Sequence, residues 1–161
     1  MRRMEFLVTA IMIVAMLALA RVSNAEPADW IAFQEKLDAA ELEFARGRPS
    51  AFKALWSHGD DVSLIGALGG KIEKGWSNVG ARLDAASAAY AEGTRSRTVL
   101  NTVVTDTLAL LVQNETIEAR IKGAERTAQH LRATMVFRKE AGEWKIIHRH
   151  ADTLVTGLVR R

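Results

Sequence analysis

The sequence predicts an α+β fold in which a curved antiparallel sheet packs against three helices. Apolar residues recur at helical spacing in the part of the chain that follows residue 25. Later runs are rich in β-branched and aromatic residues and are separated by turn residues, a pattern typical of consecutive antiparallel strands. At 161 residues, with 48% hydrophobic and 25% charged residues, the chain has the size and composition of one globular domain.

Three segments are predicted as helices. The first covers residues 29–45, with Asp29 as a possible cap, and the second covers residues 50–56 after Pro49. A short strand over residues 62–66 and a glycine-rich segment follow. The third helix is predicted over residues 77–92, ending at Gly93.

The rest of the chain is predicted as sheet. Residues 97–105, 108–113 and 116–121 read as strands, and residues 122–128 as a polar connection. The last two strands, 131–138 and 144–151, form a hairpin with a tight turn at Ala141 and Gly142.

The alternation of side chains in this hairpin predicts a site. In the register set by the turn, Phe137 faces Ile146, Met135 faces His148 and Ala133 faces His150. The two histidines would then interrupt an otherwise apolar face. A slip of one residue would exchange the two faces of the strand.

The start of the chain reads as a secretory signal peptide. Arg2 and Arg3 precede an apolar run from Phe6 to Ala20. The small residues Ser23 and Ala25 then occupy the third-last and last positions before the expected cleavage site. We expect cleavage after Ala25, export to the periplasm or medium, and a domain over residues 26–161. An uncleaved tether is the alternative, although about 20 apolar residues are usual for a membrane span and this run is shorter.

Charge and composition exclude several classes of protein. Removing residues 1–25 takes away three basic residues and one acidic residue, which lowers the formal net charge from +3 to +1. Because the sequence lacks a stripe of basic residues interleaved with aromatic residues, we expect no nucleic-acid partner. The chain has no cysteine, so disulfides, thiolate nucleophiles and cysteine-ligated metals are excluded.

Several short segments together resemble a known family. They are Trp56 to Ser63, Gly69-Gly70, Gly75-Trp76, Val79, Asp106 to Ala109, Leu131-Arg132, Phe137-Arg138, Gly142-Glu-Trp144 and His148-Arg-His-Ala-Asp152. In these segments, and over residues 30–155 as a whole, the chain resembles the SnoaL-like branch of the nuclear transport factor 2-like superfamily. The resemblance implies a cone-shaped α+β fold around a cavity, with homodimers formed through the outer sheet face.

The resemblance leaves the activity open, because the superfamily includes ketosteroid isomerases, polyketide cyclases, dehydratases and members that only bind or assemble. Ketosteroid isomerase chemistry needs a carboxylate base and an oxyanion hole built with a tyrosine. The sole tyrosine, Tyr90, has no matching local motif. No catalytic residue is therefore carried over.

The candidate ligand-binding residues are His148, His150, Asp60, Trp76 and Met135. The histidines could act as general bases or simply be satisfied core groups. Asp60 could be a base or a turn residue, and Trp76 a cavity wall or a packing residue. A metal would need a third ligand beside the His-x-His pair, so we expect no metal and no cofactor.

The leading hypothesis is an exported domain that binds a small, mostly apolar molecule in its cone, with the histidines as polar contacts. The first alternative is a cofactor-independent isomerase, cyclase or dehydratase that uses histidine and aspartate as acid and base. The second is a non-catalytic assembly module.

Overall fold

The computed structural model describes residues 26–67 and 69–154, so the predicted signal peptide lies outside the described residues. The helices are α1 (Ala28–Ala45), α2 (Ser50–Ala54) and α3 (Trp76–Ser87). The strands are β1 (Ser63–Ile65), β2 (Glu73–Lys74), β3 (Tyr90–Val104), β4 (Leu108–Ile121), β5 (Arg126–Glu140) and β6 (Glu143–Thr153). The α+β class and the order of the main elements are as predicted.

The six strands form one mixed sheet in the order β2-β1-β6-β5-β4-β3. The long strands β3 to β6 pair antiparallel, as predicted. The prediction of a wholly antiparallel sheet is wrong, because β1 pairs parallel to β6, with Ser63 opposite His148. β1 follows the helices and reaches the open edge of β6 running in the same direction, which no local pattern of residues signals.

Three boundaries differ from the prediction. The helix α3 ends at Ser87, and residues 90–92, predicted as its last turn, begin β3 instead. Gly93 lies within β3, where an added Cβ would stand 2.0 Å from the Ala45 carbonyl oxygen, so this glycine permits close contact with the end of α1. The two strands predicted between residues 108 and 121 are one continuous strand, and β5 begins at Arg126 within the predicted connection.

The helices cover one face of the sheet, called here the inner face, and within the described residues no helix packs on the opposite, outer face. Near the turn between β5 and β6, the inner face carries an aromatic cluster. Trp30 of α1 lies 5.0 Å from Phe137 and 5.3 Å from Trp144, in edge-to-face geometry. Phe33 contacts Phe137 as well. These rings pack between helix and sheet, and at their edge Trp144 Nε1 donates to Asp29 Oδ2 at 3.2 Å.

A second, smaller cluster lies at the other end of the inner face, around Tyr90, Ile117 and Leu131. Charged side chains and a cavity share this end of the fold with it. In the part of the chain that the structure describes, no helix is long and apolar enough to cross a membrane.

Candidate functional site

A β-bulge in β6 decides which side chains enter the cone. From the turn to Ile146 the hairpin has the predicted register, with Phe137 opposite Ile146. The register then shifts by one residue, so that Val136 faces His148 and Met135 faces Arg149. Ile147 is the extra residue, and beyond it every side chain changes face. The predicted placement of His148 and His150 on the inner face is therefore wrong.

The bulge lies where β6 changes partners on its other edge. Ile146 exchanges two backbone hydrogen bonds with the segment after α2: its amide donates to the Leu55 carbonyl and its carbonyl accepts from the Ser57 amide, both at 2.9 Å. Two residues later β6 pairs with β1 through His148. The change of partner along this edge coincides with the extra residue.

The two histidines lie on the outer face. Ser63 Oγ and His148 Nδ1 share a hydrogen bond of 2.8 Å between β1 and β6. Burial, followed by the nearby charge of His150, lowers the pKa of His148. His150 is exposed and borders an outer groove together with Val112, Thr134 and other residues.

The remaining predicted site residues do not meet the histidines in one pocket. Met135 is fully buried in the core. Trp76 begins α3 and stacks on His58 with ring centroids 3.9 Å apart. Asp60 is an exposed loop residue. In the described ranges, 26–67 and 69–154, no three histidine or acidic side chains are grouped closely enough to hold a metal ion.

The structure instead has a cavity of about 90 Å³ at the end of the inner face opposite the aromatic cluster. Much of its wall is apolar and comes from α1, α2, α3 and the long strands. The main apolar lining residues are Phe44, Phe52, Leu83, Ala86, Ile117, Leu131 and Ala151. Arg149 and Ala151 line it because the bulge turns them inward.

Charged side chains from five elements, α1, α3, β3, β4 and β6, also line this cavity. Arg149 Nη2 of β6 donates to Glu115 Oε2 of β4 at 2.7 Å, and Gln113 Nε2 donates to Glu115 Oε1 at the same distance. Arg95 Nη2 of β3 lies 2.5 Å from Glu41 Oε2 of α1. The Glu41 and Glu115 side chains are 5% and 1% exposed, so both carboxyl groups are removed from water.

The two buried carboxyl groups differ in their affinity for protons. Burial raises the pKa of Glu41 to about 7; Arg95 opposes this effect and the negative charge of Glu115 adds to it. Glu41 Oε2 and Arg95 Nη2 form no hydrogen bond despite their short separation, so the loss of hydration is poorly offset. Burial opposes ionisation of Glu115 too, but Arg149 and Arg95 outweigh it and lower the pKa of that carboxyl.

Two further polar groups complete the wall. Tyr90, at the start of β3, donates from its hydroxyl to Gln129 Oε1 at 2.7 Å. Arg82 of α3 donates from Nη2 to the Gly69 carbonyl oxygen at 3.1 Å. The cavity therefore combines apolar walls, a near-neutral titrating carboxyl group and several guanidinium groups.

The sequence analysis missed these residues, although a signal was present for two of them. Glu41 lies four residues after Leu37 in the first helix, on its apolar face. Glu115 is separated from Leu111 and Ile117 by an even number of residues, so all three lie on the same face of β4. The prediction, however, placed Glu115 in a break between two strands. Arg149 could not be found without knowing of the bulge.

The fold is shared with solved structures of low sequence identity. A proposed dehydratase of the nuclear transport factor 2-like family from Streptomyces avermitilis is 22% identical, with a TM-score of 0.66 over 80% of this chain and 95% of that one. A ketosteroid isomerase-like protein from Erwinia carotovora atroseptica is 14% identical, with a TM-score of 0.65 over 81% of this chain and all of that one. A proposed calcium/calmodulin-dependent protein kinase type II association domain from Thiobacillus denitrificans is 22% identical, with a TM-score of 0.59 over 81% of this chain and all of that one. The architecture is thus the nuclear transport factor 2-like fold.

The sequence gives a more specific assignment than the fold does. Residues 32–155 match the SnoaL-like domain family, so the chain belongs to that family, as its motifs predicted. No match was found among the curated proteins.

Proposed function

We propose that this protein binds a small, mostly apolar molecule in the cavity between the sheet and the helices. The observation that carries the proposal is the combination of apolar walls with a few convergent charged groups, Glu41, Arg95 and Arg149. The polar contacts differ from the histidines expected from the sequence, because those rings lie on the outer face.

A pair of adjacent alanines on α3 provides a matched test of binding. Ala86 lines the cavity, whereas Ala85 is exposed on the same helix. A panel of small carbonyl compounds, alcohols and acids would be screened by thermal shift and by titration calorimetry. We expect Ala86→Phe to fill the cavity and abolish the binding, and Ala85→Phe to leave it unchanged. A panel without any binder, or equal binding by both variants, would refute the proposal.

A cofactor-independent enzyme is the second candidate, and Glu41 favours it. A carboxyl group whose pKa is about 7 is suited to accept and return a proton at neutral pH. It would act on a carbon acid beside a carbonyl, the reaction class suggested by the names of the dehydratase and ketosteroid isomerase-like relatives. The test is hydrogen-deuterium exchange at the α-carbon of small ketones, followed by NMR. Exchange that Glu41→Gln does not slow would reject this role.

Assembly through the outer face is a third proposal. Exposed apolar side chains lie on β3 and β4, among them Leu100, Val103 and Leu108 at 60%, 52% and 46% exposure. Exposed apolar patches of this kind are typical of contact surfaces. Light scattering after size exclusion should give the mass of a homodimer, and Val103→Asp should reduce it to that of a monomer. A monomeric wild-type chain would contradict the proposal.

We also propose that the protein is exported after cleavage near Ala25. The support is the basic lead, the apolar run and the small residues that precede this position. The helix α1 begins at Ala28, so such a cut leaves every described element intact. Fractionation and N-terminal sequencing of the mature protein would test the cut, and an intact N-terminus in the cytoplasm would refute it.

A further inference from the structure

The charges that line the cavity do not balance. Three arginines, Arg82, Arg95 and Arg149, share its wall with two glutamates, Glu41 and Glu115. A partly open site with an excess of positive charge attracts an anion, and a largely buried cation such as Arg149 is stable only when its charge is paired.

Nearby acidic groups do not correct this excess. Asp38 of α1 contacts Arg95, with 3.4 Å between Oδ1 and Nη1, but it also pairs with Arg97, whose Nε lies 2.6 Å from the same oxygen, so adding Asp38 and Arg97 to the count leaves the excess unchanged. Among the described residues Arg82 forms no ion pair, and its Nη2 donates to the Gly69 carbonyl oxygen. Arg149 uses Nη2 for Glu115, while its buried Nη1 has no hydrogen-bond partner in the described part of the chain.

We propose that the ligand of this cavity is a short-chain carboxylic acid, bound as its carboxylate beside the arginines with its hydrocarbon chain against the apolar wall. This inference rests on the proposed binding function and specifies its ligand. Guanidinium groups match carboxylates in charge and in planar hydrogen-bond geometry. The remaining wall, including Phe44, Leu83 and Leu131, suits a hydrocarbon chain.

The size of the cavity limits the length of that chain. A volume of about 90 Å³ corresponds to roughly six to nine water-sized positions. An acid of about six non-hydrogen atoms, such as butanoate, is of this size. Longer acids would extend past the described walls.

Glu41 links this binding to proton uptake. The charged and titratable groups around it are Asp38 on its own helix, Arg95, Arg97 and Tyr90 of β3, Glu115 of β4, Arg149 of β6 and Arg82 of α3. Protonation of Glu41 removes one negative charge from the wall and increases the positive excess. Because the pKa of Glu41 is about 7, carboxylate binding should weaken as the pH rises from 6 to 8.

The experiment compares butanoate with butanamide and 1-butanol by titration calorimetry at pH 6, with inorganic phosphate as a second anion. We expect butanoate to bind at least about tenfold more tightly than the two neutral molecules, since hydrogen bonds to charged groups are the stronger ones. Equal binding of all three would overturn the carboxylate inference and leave the proposed binding function standing. If nothing in the wider panel binds, the binding function itself fails. Phosphate that binds as tightly as butanoate would overturn the inference in favour of a general anion site.

Two variants test the residues. Arg82→Gln removes the arginine that has only a backbone partner, so the fold should survive, and butanoate should bind about tenfold more weakly. Arg120→Gln, an exposed arginine of β4, is the matched control and should bind butanoate as the wild type does. Between pH 6 and 8 the wild type should lose about tenfold in affinity as Glu41 ionises, whereas Glu41→Gln should show no loss. A loss of equal size in both proteins would overturn the role of Glu41.

Discussion

The two ends of the inner face are built from the same strands but have opposite chemistry. Near the β5–β6 turn, Trp30, Phe137 and Trp144 form close edge-to-face aromatic contacts. At the far end the same strands present Glu115 and Arg149 to a cavity. The bulge at Ile147 lies between the two ends. One extra residue thus separates a region that stabilises the fold from a region able to bind a ligand.

Deletion of Ile147 should have the largest effect, and it should act on the edge of β6 while leaving its faces unchanged. His148 would follow Ile146 directly and stay opposite Val136, so Arg149 would still face the cavity. The segment after α2 pairs with Ile146 and β1 pairs with His148, and with one residue fewer between them the two pairings could no longer both form. We expect urea unfolding to show a loss of more than about 4 kcal/mol, whereas Ile147→Ala keeps the bulge and should cost about 1 kcal/mol. A deletion variant as stable as the wild type would show that the two edge pairings do not require the bulge.

Phe137→Ala should cost about 4 kcal/mol of unfolding free energy, because it opens a cavity within the aromatic cluster. Phe137→Leu retains most of the volume and should cost about 1 kcal/mol. Urea unfolding of both variants measures the difference. Equal, small losses would mean that this end of the fold is loosely packed.

Arg149→Leu should cost about 3 kcal/mol, because it leaves the buried carboxylate of Glu115 without its closest cation. The control is Arg132→Leu on the outer face, where Arg132 pairs with Asp152 at 2.5 Å in contact with solvent. The control should change stability far less, since exposed pairs are screened by water and salt. Similar losses in the two variants would contradict the distinction between inner and outer charges.

Glu41→Gln should change the pH dependence of stability by a smaller amount. The pKa of Glu41 is higher in the folded chain, about 7, than its ordinary value of 4.5. The folded state therefore holds this proton more tightly, and the resulting stability is complete below pH 4.5 and is lost as the pH rises through 7. Relative to Glu41→Gln, the wild type should lose roughly 2 to 3 kcal/mol between pH 5 and 8. Parallel pH profiles from urea unfolding would contradict the raised pKa.

The predictions from sequence were correct where the structure depends on neighbouring residues and wrong where it depends on residues far apart in the chain. The helix over residues 29–45 and the hairpin turn at Ala141 and Gly142 depend on local spacing, and both were predicted correctly. The parallel pairing of Ser63 with His148 joins residues 85 positions apart and was missed. The candidate site was misplaced because it depended on the register of β6 beyond Ile146.

The sequence by itself determined the class of fold, the order of the main elements, the family and the register of the hairpin next to its turn. These follow from periodicity, turn chemistry and motifs that neighbouring residues carry. Only the tertiary structure decided which side chains of β6 enter the cone and that Glu41, Arg95, Glu115 and Arg149 meet there. The reason is that the face of a strand depends on every partner along both of its edges, and those partners come from distant parts of the chain.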